Sequence, residues 1–241
     1  MTTDPSCAEP VLVWDAPVRV FHWLLVLSFA GAHVTAESER LRLLHVTLGY
    51  TLGGLIVFRL LWGLVGTRHA RFAHFVRGPR AAWHYVRSLA SEHPEHHSGH
   101  NPAGALAIVA MLGLGMLTAL SGWARYEQIG GEWLEELHEG AAHAMLVLAL
   151  VHLAGVLIGS IVHQENLVRT MISGKRTVPT PDRIRRAWRP LAVLMVLAVL
   201  GFWWQQWSQA PADRRPTISQ PATSGVHARD AKTEHHQEID D

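Results

Sequence analysis

An apolar run of about twenty residues leaves a chain few options, because in lipid every backbone N–H and C=O must find its partner inside the segment. Four such runs occur here, at about Val20–Thr35, Leu43–Val65, Ala103–Trp123 and Leu137–Val162. A fifth, Leu191 to about Trp207, is just long enough to span a bilayer. Of the 241 residues 49% are hydrophobic and only 17% charged, and the apolar ones come in these blocks rather than scattered at helical spacing. The expectation is an all-α transmembrane four-helix bundle with a fifth transmembrane helix, not a soluble core.

The links between the runs divide the chain. Residues 1–19 form a cytoplasmic or interfacial N-terminus, in which Trp14 and Arg19 suit the membrane interface. Residues 20–176 make the main transmembrane domain, residues 190–207 the extra helix, and residues 208–241 a polar tail expected to be disordered. No cleavable signal peptide is expected, because Asp4, Glu9 and Asp15 stand where a basic region would be. Charge in the links sets the orientation. Segment 66–102 holds five Lys or Arg and segment 163–190 seven, against two in 36–44 and one in 124–140. By the positive-inside rule the first two are cytoplasmic, which puts the N-terminus in the cytoplasm and the C-terminal tail in the periplasm.

The single cysteine, Cys7, excludes an intrachain disulfide, a cysteine-based zinc site and an iron–sulfur cluster. No Cys-x-x-Cys-His occurs, so a haem here would be held without a covalent c-type link. Seventeen histidines, by contrast, need an explanation. Imidazole inside a bilayer is costly unless paired or ligated, although hydrogen bonding between helices is the ordinary role for a lone one. His69, His74, His84, His93, His96, His97 and His100 lie in a polar link, and His227, His235 and His236 in the tail; solvated surface suits them all.

His22, His33, His45, His138, His143, His152 and His163 remain. His138 and His152 are fourteen positions apart on the fourth run. That spacing points both imidazoles the same way within roughly 40° and separates them by roughly 21 Å. His22 is shallow on the cytoplasmic side of the first run, and some fourteen residues later the chain has reached the other face, where His45 opens the second. Two levels result, His22 with His152 toward the cytoplasm and His45 with His138 toward the periplasm. His33 lies eleven residues after His22 on nearly the same face and competes with His45 as the outer partner. His163 falls at the interface, since His138 to His163 spans roughly 37 Å. His143 is turned roughly 140° from His138 and faces elsewhere.

Two imidazoles facing each other across a helix bundle form a bis-histidine haem site, whose filled axial positions favour electron transfer over oxygen binding. Gly49 and Gly53, and Gly155 and Gly159, sit at small-xxx-small spacing near these histidines, where either a flat macrocycle or another helix could approach. Arg59 shares the face of His45 at the cytoplasmic level, and Arg19 is nearby in depth. Either could pair with haem propionates or serve as a positive-inside anchor.

The order and spacing of several motifs carry a family resemblance. They are Val13-Trp14-Asp15-Ala16-Pro17-Val18-Arg19-Val20-Phe21-His22-Trp23, His45-Val46-Thr47-Leu48-Gly49-Tyr50 and Arg59-Leu60-Leu61-Trp62-Gly63. Gly99-His100-Asn101-Pro102-Ala103-Gly104, Ser121-Gly122-Trp123, Leu137-His138-Glu139, His152-Leu153-Ala154-Gly155-Val156 and His163-Gln164-Glu165-Asn166-Leu167-Val168-Arg169-Thr170-Met171 continue the set. From about Val11 to Arg176 the chain resembles the bacterial cytochrome b561 and nickel-hydrogenase cytochrome b family, di-haem b-type proteins of the inner membrane. The resemblance implies axial iron ligands at His22, His45, His138 and His152, with His22 paired to His152 and His45 to His138. It also implies two non-covalent b-type haems, a multi-pass location in the bacterial inner membrane, and electron exchange between a membrane quinone pool and a partner protein. The fifth run and the tail depart from the four-helix pattern and leave that partner open between a cytochrome c and a hydrogenase-like enzyme.

The expected function is therefore a di-haem cytochrome b acting as an electron-transfer subunit rather than a stand-alone enzyme. Its expected partners are membrane lipid, quinone and a redox protein, with no nucleic acid. A self-contained oxidoreductase passing electrons from superoxide or another small donor to quinone shares the same fold. A histidine-rich divalent-metal transporter would need intramembrane carboxylates along a pathway, and the helices contain almost none.

Overall fold

The computed structural model describes residues 10–88, 101–176, 183–184 and 186–210. Cys7, His93, His96, His97, His100, His227, His235, His236 and all but the first three residues of the 208–241 tail lie outside the described residues.

The first apolar run becomes α1 (Ala16–Thr35), which starts four residues before its hydrophobic block. Asp15 caps it by accepting from the Val18 N–H at 2.8 Å, and Pro17 occupies the first turn, where its missing N–H costs nothing. A short 3-10 turn (Glu39–Leu41) leads into α2 (Arg42–Val65). The polar 66–102 link is partly helical. Phe72–Phe75 forms the single turn α3, and α4 (Pro79–Ser88) follows Gly78, whose φ of 85° makes the bend before it. Asn101 caps α5 (Pro102–Tyr126) through its side-chain oxygen, which accepts from the Gly104 N–H. Then come α6 (Trp133–Val162), α7 (Leu167–Ser173) and α8 (Arg189–Gln209). Five helices, α8 among them, are long and apolar enough to cross a membrane.

The helices pack in the order α8–α1–α2–α5–α6, with α4 laid on α5. A small core of Phe21, Leu52, Leu55, Ile56, Leu112, Met145 and Met195 ties α1, α2, α5, α6 and α8 together. Most other large apolar side chains face outward, Leu61, Val65, Ile161 and Leu197 among them. That distribution belongs to a protein whose solvent is lipid. Among the described residues α1 and α6 do not pack closely on each other.

One end of the bundle carries the basic links and is clasped. Strand β1 (Val11–Leu12) pairs antiparallel with β2 (Lys175–Arg176), Val11 opposite Arg176 and Leu12 opposite Lys175. The Ile184 N–H donates to Leu12 O and the Ala16 N–H to Ala187 O, so the approach to α8 is tied to the start of α1. Asp15, fully buried, closes the clasp by accepting from Trp62 Nε1 at 3.1 Å and Thr67 Oγ1 at 2.6 Å beyond the end of α2. Trp203 Nε1 donates to Thr51 Oγ1 at 2.8 Å and fastens α8 to α2 further along. The 36–41 and 127–132 links form the opposite, acid-rich end.

Candidate functional site

At the acid-rich end His45 of α2 and His138 of α6 face each other, their ring centroids 6.2 Å apart and the rings inclined at 75°. Both are held through Nδ1. His45 Nδ1 lies 2.8 Å from Ala32 O, and His138 Nδ1 lies 2.9 Å from Thr118 O. A carbonyl can only accept, so Nδ1–H donates in each case and Nε2 keeps its lone pair. This is the tautomer that a metal-ligating histidine needs, with a backbone carbonyl as its orienting partner. The His138 ring owes its position to α5. Ser121 Oγ stands 3.4 Å from Nδ1, and a Cβ on Gly122 would come within 2.7 Å of Cε1. Only glycine leaves room for that imidazole.

At the basic end His22 of α1 and His152 of α6 lie close enough for their charges to interact. His22 Nδ1 is buried and has no hydrogen-bond partner among the described residues, and the ring meets Trp23 edge-on with centroids 5.1 Å apart. This second level lies between α1 and α6, whose backbones do not pack closely on each other among the described residues. The four glycines divide by role. A Cβ on Gly53 would touch Ala119 at 3.2 Å and one on Gly159 would touch Leu167 at 3.3 Å, so these two serve helix packing. Gly49 and Gly155, next to His45 and His152 on their helices, would meet nothing within 4 Å, and helix packing does not account for them.

Arg59 is 2% exposed. Its guanidinium lies over the rings of Phe72, 4.7 Å from the centroid, and Phe75, at 5.9 Å, and its Nη1 has no hydrogen-bond partner among the described residues. Phe72 reaches that place because Gly63 has no side chain to obstruct its ring. A buried guanidinium with an unused N–H asks for an anionic acceptor. Arg19 is turned the other way, donating from Nη1 to Ile172 O of α7 at 2.6 Å.

His33 and His143 also meet, on α1 and α6, with centroids 6.1 Å apart and rings at 89°. His143 does face away from the His45–His138 pair, and what it faces is His33. His33 stacks against Phe29 as well, while His45 is the imidazole opposite His138. His163 caps the end of α6 and its Nε2 lies 3.2 Å from Tyr85 Oη. Of the described link histidines, His74 and His84 are exposed, whereas His69 packs edge-on against Trp14.

Ala32, Thr118, Ser121 and Gly122 escaped the sequence reading as parts of the site. Ser121 and Gly122 stand in a recognisable motif, but Ala32 and Thr118 act through carbonyls that every residue possesses. The donor set itself is informative. Among the described residues no three His, Cys, Asp or Glu gather to hold a metal ion. Facing imidazole pairs suit a metal that brings its own equatorial donors. With metal–imidazole bonds of about 2 Å, two imidazoles across one such ion have centroids about 6 Å apart, which fits the 6.2 Å at His45–His138.

Comparison with known proteins agrees. The family described as prokaryotic cytochrome b561 matches residues 13–174. A probable Ni/Fe-hydrogenase B-type cytochrome subunit of Azotobacter chroococcum is 28% identical over 211 residues, covering 69% of this chain and 88% of that protein. The similarly named protein of Rhodobacter capsulatus is 26% identical over 220 residues, 72% of this chain and 84% of its own. A probable Ni/Fe-hydrogenase 1 B-type cytochrome subunit of Escherichia coli K12 is 27% identical over 141 residues, 48% of this chain and 60% of its own. No solved structure matches.

Proposed function

Because the chain belongs to the prokaryotic cytochrome b561 family, whose members are haem b membrane proteins of electron transfer, we propose that it binds two haems and moves electrons between membrane quinone and a partner redox protein. The facing of His45 and His138, each with Nδ1 spent on a carbonyl and Nε2 available, is the observation that carries the reading. His22 and His152 hold the second haem near the basic end. Arg59 supplies the buried cation for a propionate there. Bound in these sites, haem iron supplies a one-electron couple.

The chain's own residues do the rest. Ala32 and Thr118 keep two imidazoles in the ligating tautomer, and Gly122 leaves space for one of them. The apolar helices keep water away, and a haem held by an imidazole from each of two facing helices would, in that low dielectric, exchange electrons rather than bind small molecules at the metal. Levels roughly 21 Å apart divide the bilayer into shorter hops. With the basic end cytoplasmic, His45 and His138 lie on the periplasmic side of the bacterial inner membrane, and the chain after α8 enters the periplasm. The relatives' names point to a hydrogenase-type enzyme as the partner rather than a cytochrome c.

The purified protein should show reduced-minus-oxidised b-type bands, two haems per chain by pyridine haemochrome, and reduction by decylubiquinol. One haem per chain, or two that no quinol reduces, would overturn the corresponding part of the reading.

A further inference from the structure

Helix α4 stands apart from the imidazole pairs. The stretch from Gly66 to Ser88 holds five arginines and no Asp or Glu. At ten residues α4 is far too short to span a bilayer, and it lies along α5 at the basic end. Tyr85 Oη stands 3.2 Å from Nε2 of His163, the residue that caps α6, so α4 sits at the depth where a spanning helix stops. A rotation of about 100° per residue separates its side chains by direction. Ala82 and Tyr85 are buried. Arg80 and Arg87 point the opposite way, within roughly 20° of each other, and both are exposed. On one flank between these sectors Trp83 is 66% and Val86 47% exposed, while His84 stands exposed on the other flank. Arg77, exposed just before the helix, adds a third cation. None of these three arginines pairs with a carboxylate among the described residues.

An exposed indole beside exposed guanidiniums, level with the end of a membrane helix, suits the headgroup layer better than water. We propose that α4 is an interfacial helix that holds anionic phospholipid at the basic end. Trp83 and Val86 enter the acyl boundary, and Arg80 and Arg87, with Arg77, take lipid phosphates in charge-assisted hydrogen bonds. An acidic protein would also meet three unpaired guanidiniums. The bilayer is favoured because it supplies both halves of the match, phosphate for the cations and apolar depth for the Trp83 flank. The neighbouring helix agrees, since Leu106 and Val109 in the first two turns of α5 also face outward. Each arginine near an anionic surface is worth roughly fivefold in affinity. The cluster therefore discriminates anionic from zwitterionic lipid and fixes how deep the basic end sits. The proposal stands whether or not the imidazole pairs carry haem.

Spin labelling of the purified holoprotein, reconstituted in mixed phosphatidylcholine and phosphatidylglycerol, tests the placement. In a Cys7→Ser background, nitroxides on Val86→Cys and His84→Cys are compared for collision with oxygen relative to a water-soluble nickel chelate. The ratio should be about threefold higher at position 86 than at position 84. A photoactivatable phosphatidylglycerol tests the ligand. It should crosslink to residues 77–88, with unlabelled phosphatidylglycerol competing and phosphatidylcholine not. Arg80→Gln combined with Arg87→Gln should cut that crosslinking about tenfold, with haem content and thermal midpoint unchanged. Two nitroxides equally open to nickel would overturn the interfacial placement and leave the face to an acidic protein. Crosslinking displaced as well by phosphatidylcholine, or indifferent to the double variant, would overturn the choice of anionic lipid.

Discussion

Two of the four imidazoles in the proposed ligand set depend on a neighbour that chooses their tautomer. His45 leans on Ala32 O and His138 on Thr118 O. Removing a ligand should cost one haem and spare the other. His152→Ala is expected to leave one b-type haem per chain, as is His138→Ala, with the surviving haem differing in midpoint potential between the two variants. Two haems retained in His152→Ala would sink that ligand assignment. Gly122→Ala is a finer probe, because the added methyl would come within 2.7 Å of the His138 ring. The ring must move off its carbonyl, so the spectrum and potential of the His45–His138 haem should change while the basic-end haem stays as it was. A redox titration resolving the two components checks this.

At the scale of elements, polar joints hold the bundle near both of its ends, and at the basic end they gather on Asp15. Asp15 caps α1 and accepts from Trp62 and Thr67 beyond it. Its replacement leaves two buried donors and one half-buried one without their acceptor, at a cost of about 2 kcal/mol or more. Asp15→Ala should therefore lower the thermal midpoint of the detergent-solubilised protein. Because the joint lies at the basic end, haem should be lost first from the His22–His152 level. A variant as stable as the parent would show that packing alone sets the α1–α2 angle. Near the other end of α1, the His33–His143 contact joins α1 to α6 through side chains where their backbones stand apart.

The whole molecule is a multi-pass membrane protein whose outer surface is apolar and whose charge is sorted to the two ends. By the positive-inside rule that sorting predicts the proposed orientation, which thiol labelling can test. In a Cys7→Ser background, Arg80→Cys on α4 should react with a membrane-impermeant thiol reagent only after the cells are opened. Glu132→Cys, in the acid-rich link, should react in intact spheroplasts. The reverse pattern would invert the assignment of both haem levels. The packing order also explains why α8 is more than an appendage. It lies on α1 and is bonded to α2 through Trp203 and Thr51.

Much of this was legible beforehand, because a membrane helix is nearly a ruler. Its rise and rotation per residue are constant, so the spacing of His138 and His152, and the depth of His22 and His45, could be computed without knowing how the helices pack. The five spans, the two histidine levels and the basic end follow from the order of residues alone. Helix starts were less legible. Capping by Asp15 and Pro17 extends α1 beyond its apolar block, and the described part of the polar link holds two helices, α3 and α4, that hydropathy does not mark. What the sequence could not determine depends on rotation between helices. That rotation turns Arg19 toward α7 and α8, brings His33 to His143, and places the carbonyls of Ala32 and Thr118 under two imidazoles. Periodicity specifies where a side chain points on its own helix; only packing decides which neighbour stands there.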